Sequence, residues 1–211
     1  MIVMKIDLSL IGMEKGRQYE TIITTKNAQN VYNAAPIGVI CSGPDRTVSR
    51  IFKGSHTLEN IINTREYVVN ITHDPEIFTA STLGNLAREY FNDDLSLKCA
   101  DAYFRCEVIS LTEAVKQSDP VKKKDEAIVI KSEVTDMTII KNTKAFNRGF
   151  SYVIESLSNL TRFDMVDDDQ KEIYLSQFKE AYRVVRKVGT KDDLKAMNEI
   201  KKELKSKGYN L

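Results

Sequence analysis

The sequence predicts an α+β protein whose strands come first and whose helices come last. Runs of β-branched and alternating apolar residues recur from Tyr19 to Val134, while three amphipathic helical stripes occupy the chain after Lys141. No Gly-rich dinucleotide fingerprint accompanies a βαβ unit, so a Rossmann-type NAD site within the chain is unsupported. The expected division is a strand-rich domain over residues 1–141 and a helical region over residues 142–211.

Residues 2–16 are mixed, with Leu8, Leu10 and Ile11 marking a short strand or helix that Gly16 closes. Tyr19 to Thr25 is β-branched and reads as a strand. Two Asn within Lys26 to Asn30 make a turn, and Tyr32 to Cys41 returns as the second arm of a hairpin. After a turn at Ser42-Gly-Pro-Asp45, Thr47 to Phe52 is a third strand. Gly54 to Thr57 then opens a helix with Leu58, Ile61 and Ile62 on one face and Ser55 and Thr57 as candidate caps. Tyr67 to Ile71 is apolar almost throughout, as a central strand would be. Asp74-Pro75 starts a short helix over Glu76 to Leu83, an N-cap followed by proline at the first helical position.

Leu86 to Asp94 fits neither period. Phe104, Cys106 and Val108 alternate with Arg105 and Glu107, which predicts a half-buried strand over Ala102 to Leu111. Ser118 to Asp125 reads as a polar turn, with Lys122 to Lys124 as solvated loop, and Ala127 to Val134 as the last strand. Beyond Lys141, Phe146, Phe150, Val153, Ile154, Leu157 and Leu160 share one helical face. A second helix spans Asp167 to Lys187 and ends at Gly189. Thr190-Lys-Asp-Asp193 has the capping chemistry to start a third, striped by Leu194, Met197, Ile200 and Leu204.

The chain has 211 residues, enough for one domain with an appendage and a sizeable core. A net charge of +1, with no basic arm, gives no reason to expect nucleic acid as a partner. No stretch has signal-peptide character or the length and apolarity to cross a bilayer, so the expected location is the cytoplasm, with no membrane partner. Cys41, Cys99 and Cys106 lack metal-ligand spacing and are odd in number, as reduced core thiols would be. With His56 and His73 the only histidines, a metal site is not expected.

Two stretches carry candidate chemistry. In Tyr32-Asn-Ala-Ala-Pro-Ile-Gly38 the side chains are small, polar or unable to donate, which lets a flat ligand approach backbone; the plain alternative is a strand start packed under a neighbour. Gly54-Ser-His-Thr57 precedes a helix, and free amides with hydroxyls there suit a phosphate, although an isolated Ser or Thr at that position is ordinarily just a cap. Together, a ring platform and a phosphate corner describe two ends of a planar, phosphate-bearing cofactor.

Thr24-Thr25, Tyr32 to Gly38, Gly54 to Thr57 with Asn60, and Tyr67-Val-Val-Asn70 resemble, in this order, the flavin reductase-like FMN-binding split barrels. The closer resemblance is to an uncharacterised archaeal family of that superfamily, which adds a C-terminal helical region beginning near an Asn-Arg pair, here Asn147 and Arg148. The resemblance implies an antiparallel split β-barrel (Greek key) of six strands that forms a homodimer, with FMN near the subunit interface. By it, Asn33, Ala34, Ala35, Pro36 and Ile37 would line the ring and ribityl chain, and Ser55, His56 and Thr57 would hold the phosphate. Thr24, Thr25, Asn60, Asn147 and Arg148 would be outer contacts. One departure concerns turnover rather than binding: the barrel reductases usually carry Ser or Thr where Gly38, Val39 and Ile40 stand here.

The implied function is a flavin-dependent oxidoreductase with NAD(P)H or another small reductant, since the flavin itself supplies the redox chemistry. No catalytic acid or base is identified. The other reading is a non-catalytic flavin- or nucleotide-binding module or partner subunit. Substrate, hydride donor and the choice between FMN and a deazaflavin stay open.

Overall fold

The structure, a computed structural model, describes residues 6–84, 86–118 and 121–210, without the side chains of residues 115–125. Residues 2–5 of the expected first segment and the 119–120 part of the expected polar turn lie outside the described residues.

Six strands form a closed antiparallel barrel: β1 (Gln18–Lys26), β2 (Tyr32–Gly43), β3 (Arg46–Phe52), β4 (Glu66–Ile71), β5 (Ala102–Ser118) and β6 (Val121–Ile139). Their order around the wall is β1-β2-β3-β6-β5-β4, so β4 returns beside β1 and β6 beside β3, a Greek-key connection. The β1–β2 turn works as its asparagines suggest. Asn27 Oδ1 accepts from the Gln29 and Val31 amides, each at 2.9 Å, and Asn30 takes φ 58°, a left-handed conformation Asn tolerates.

Alternation along the strands builds two apolar layers. Ile23, Val39, Cys41, Ile51, Val69, Phe104, Cys106, Ile130 and Val134 belong to the main core. Ile22 and Ala34 belong to a second cluster with Ile77, Phe91 and Leu97. That cluster brings in helix α2 (Pro75–Thr82), which starts at Asp74 and Pro75 as expected, and the segment after it. The segment with no clear period holds a 3-10 turn at Arg88–Tyr90 and a bridge between Phe91 and Leu97. Leu8–Ile11 is also a 3-10 turn.

The last two strands correct the sequence expectation. β5 and β6 run well past Leu111 and start well before Ala127, and Val121 to Asp125, expected as turn and solvated loop, is strand backbone. Beyond the Phe52–Ala127 pair and the Lys53 amide's bond to Glu126 O, the two strands pair with each other alone among the described residues, through pairs such as Lys116–Asp125 and Ser118–Val121. The residues of this ribbon, Lys122 to Lys124 among them, carry no apolar alternation, so its sequence looks like a loop.

The chain folds as two compact units, one ending at Phe146 and one beginning at Asn147. Residues 142–146 stay with the first unit: the Ala145 amide donates to Ile11 O at 2.8 Å, and Phe146 O accepts from the Glu20 amide at 2.8 Å. Phe146 therefore belongs to a bridge with β1 and not, as its spacing suggested, to the following helix.

The second unit holds α3 (Gly149–Arg162), α4 (Asp168–Val188) and α5 (Lys191–Ser206), packed on Val153, Phe163, Phe178, Ala181, Val185, Met197, Ile200 and Leu204. Thr190 and Asp193 form the expected capping box at the start of α5. Asn147, expected beside the ligand, is engaged within this unit: its Nδ2 donates to Val188 O at 2.7 Å, and its Oδ1 accepts from the Gly149 amide at 2.8 Å. No helix among the described residues is long and apolar enough to cross a membrane.

Candidate functional site

β2 has two halves with different neighbours. Its pairing with β3 begins at Val39, so from Tyr32 to Gly38 it pairs with β1 alone among the described residues. The wall is split along that edge. Pro36 lies in this half, where its lack of an N–H takes nothing from a ladder on the open side. Helix α1 (His56–Thr64) packs against β1 and β2.

The two stretches singled out by sequence meet here. Asn33 Nδ2 donates to Thr57 Oγ1 at 2.8 Å, joining the small-residue half of β2 to the tip of α1. Thr57 accepts that bond, so its own proton is available to another acceptor. Gly54 precedes the tip with φ 81°, and a Cβ added there would meet nothing within 4 Å. The tip therefore combines the Thr57 hydroxyl, in a residue only 3% exposed, with first-turn amides that no helix carbonyl takes up and the positive end of the helix dipole.

The other expected contacts divide by what their side chains already do. Ser55 is the N-cap: Oγ donates to Phe52 O at 3.0 Å and accepts from the Leu58 amide at 3.3 Å, so its hydroxyl is engaged at the helix start. His56 stands out into solvent, 86% exposed, with Nδ1 3.7 Å from Glu59 Oε2. Asn60 is buried and donates to Thr25 Oγ1 at 3.0 Å, fastening α1 to β1. Thr24 is likewise engaged internally. It is fully buried, donates to Leu95 O at 2.7 Å and accepts from Asn70 Nδ2 at 3.0 Å, so its side chain is occupied inside the protein.

Within β2, strand alternation separates the residues expected to form one platform. Ala34 packs into the cluster around Phe91, and Ile37 packs against the barrel core. Asn33, Ala35 and Pro36 are half-buried. Gly38 is covered by Gln18, whose side-chain amide occupies the space a Cβ would need. Gln18 was missed by sequence reasoning, because only the Gln18–Ile40 register brings it over the neighbouring strand. Arg148 lies in the second unit, where its charge helps to hold the Glu180 carboxyl below its usual range, behind the larger effect of the Arg183 hydrogen bonds.

Tyr67 Oη donates to Ser132 Oγ at 2.9 Å, and burial pushes the Tyr67 phenol up. Burial also pushes the Cys106 thiol up to about 12, which keeps it protonated. The three cysteines are free, and no group of three or more His, Cys, Asp or Glu placed to hold a metal occurs among the described residues.

Comparison with known proteins follows this division of the chain. The family described as "Protein of unknown function (DUF447) N-terminal domain" matches residues 19–141, and its companion, "Protein of unknown function (DUF447)", matches residues 147–202. The chain belongs to the DUF447 family. A DUF447 protein solved by crystallography, the FMN-bound protein MM1853 of Methanosarcina mazei, is 29% identical to it. The match covers 93% of this chain and 99% of that one, with a TM-score of 0.52. The uncharacterised protein MJ1453 of Methanocaldococcus jannaschii is 25% identical over 177 residues, 82% of this chain and 91% of its own length. The six-stranded antiparallel Greek-key barrel that the ordered motifs implied is thus the fold observed.

Proposed function

We propose that this DUF447 protein binds FMN at the split in its barrel and acts as a flavin-dependent oxidoreductase on a small-molecule substrate. The observation that carries the reading is the 2.8 Å bond between Asn33 and Thr57, which puts the open half of β2 and the tip of α1 into one site. The residues present fit an anionic, planar cofactor. The α1 tip supplies unopposed amides, Thr57 a free proton, and Gly54 clearance for a phosphate. Asn33, Ala35 and Pro36 edge the half of β2 that pairs with β1 alone, so one edge of it has no strand partner among the described residues. FMN in the relative at 29% identity supports the same cofactor here.

When bound, the flavin supplies hydride or electron transfer. The chain's own task is to grip the phosphate, hold one edge of the ring by backbone groups and keep bulky side chains off it. Asn60, through Thr25, fixes the helix tip against β1. We place FMN near the interface of a homodimer in the cytoplasm, with NAD(P)H as a candidate reductant. Reconstitution of the purified chain with FMN, followed by anaerobic NAD(P)H addition and sedimentation analysis, tests the cofactor, the reductant and the dimer. Flavin bands that bleach in a dimeric species support the reading; a chain that leaves FMN absorbance and its own melting temperature unchanged overturns it.

One observation favours binding without turnover. The strand continues as Gly38-Val39-Ile40 with Gln18 lying over Gly38, so no hydroxyl follows the small-residue half of β2. Tight FMN binding with no oxidation of NAD(P)H by any acceptor would select this reading.

A further inference from the structure

The second unit contains a cleft unconnected with the flavin reading. It runs between α3 and α4 with a volume of about 560 Å³, within the roughly 300–1,000 Å³ usual for small-molecule sites. Its origin is the small size of Ser156 and Ala181 at the seam, flanked by Tyr152 and Tyr174, which keep the helices from interdigitating. Asn159 Nδ2 donates to Gln177 Oε1 at 2.9 Å across the cleft, leaving an acceptor oxygen on Asn159 and an amide donor on Gln177. Ser156, only 5% exposed, donates to Tyr152 O at 2.8 Å and keeps its lone pairs free to accept. A pit of about 10 Å³ shares Ser156, Asn159 and Tyr174 with the cleft and is floored by Leu160, Phe163 and Phe178, room for one methyl-sized group.

Two carboxylates, Glu155 and Glu180, line the cleft, and Arg183 and Arg148 both act on Glu180. Glu180 lines the cleft, but both its oxygens are held by Arg183, at 2.5 and 2.7 Å. Glu155 lines the same cleft, is exposed and has no ion-pair partner among the described residues. One open carboxylate, two tyrosine rings and an amide oxygen form the usual surroundings of a bound organic cation. We propose that the α3–α4 cleft binds a small organic monocation, a primary amine or guanidinium carried on an apolar body. The carboxylate of Glu155 pairs with its charge, the tyrosine rings face it, and its apolar body lies toward the pit.

Calorimetric titration of the full chain with benzylamine, and with benzyl alcohol as its neutral counterpart, tests the proposal. Saturable binding of benzylamine, absent for benzyl alcohol and weakened at least about tenfold by Glu155→Gln, is the expected result. Glu155 is exposed, so this substitution leaves the fold intact, and a circular-dichroism melt coincident with the parent's verifies that. No saturable heat with benzylamine, equal binding of the alcohol, or full affinity in Glu155→Gln would each overturn it. None of these readouts depends on flavin.

Discussion

Thr57 takes a hydrogen bond from Asn33 and therefore has its own proton to give. Thr57→Ala is expected to weaken FMN by about 1.5–3 kcal/mol for each charge-assisted bond lost, while Thr57→Ser keeps most of the affinity; a fluorescence titration measures both. Asn60 acts at one remove. Asn60→Ala leaves the buried Thr25 hydroxyl without its donor, a cost of about 1–3 kcal/mol read from urea unfolding. Asn70 shows how much one buried amide can organise. Its Nδ2 donates to Ile22 O and Thr24 Oγ1, and its Oδ1 accepts from the Leu97 amide at 2.7 Å, so Asn70→Leu is expected to cost roughly 3 kcal/mol or more. Cys106 offers a reporter. With its thiol pushed up to about 12 and fully buried, alkylation at mildly alkaline pH is expected only through opening of the barrel. Mass spectrometry after iodoacetamide should find it unmodified in native protein and modified in urea.

At the scale of elements, legibility in sequence tracked whether a residue's neighbour was near in the chain. The caps at Asp74 and Thr190 and the α5 stripe could be read directly, because helices are local and their end chemistry is local too. The outer β5–β6 ribbon could not, since its sequence, with Lys122 to Lys124 at its centre, carries no apolar alternation. For the site, the helix tip and the small-residue half of β2 were legible as a pair. The identity of the residues facing a ligand was not, because that depends on strand register. Register sends Ala34 into one cluster and Ile37 into another, and it gives the Thr24 hydroxyl to Leu95. Ser55 shows the opposite case: its ordinary role as a cap, legible from spacing alone, is the one it fills. The start of α3 adds a prediction. A Cβ on Gly149 would lie 2.6 Å from Gly189 Cα, a backbone contact that cannot swing away. Gly149→Ala is expected to destabilise the helical unit by about 1–3 kcal/mol, visible as an earlier loss of helical ellipticity on heating.

Across the whole molecule, each unit has an apolar core of its own, and the two family descriptions match on either side of the same junction. The functional reading depends on the first unit alone, through a barrel open along one edge of β2 and a helix whose positive end lies beside that opening. Lys53, which follows β3, ties that strand to the base of the β5–β6 ribbon. Its ammonium is held by Glu126 at 2.8 Å and Glu113 at 2.9 Å. The most direct test is equilibrium titration of FMN into the flavin-free full chain, compared with riboflavin, which lacks the phosphate. Saturable FMN binding, much weaker riboflavin binding, and loss of that difference in Thr57→Ala are the predicted results. Equal affinity for the two flavins, or FMN binding untouched by Thr57→Ala, would contradict the claim that the α1 tip grips the phosphate.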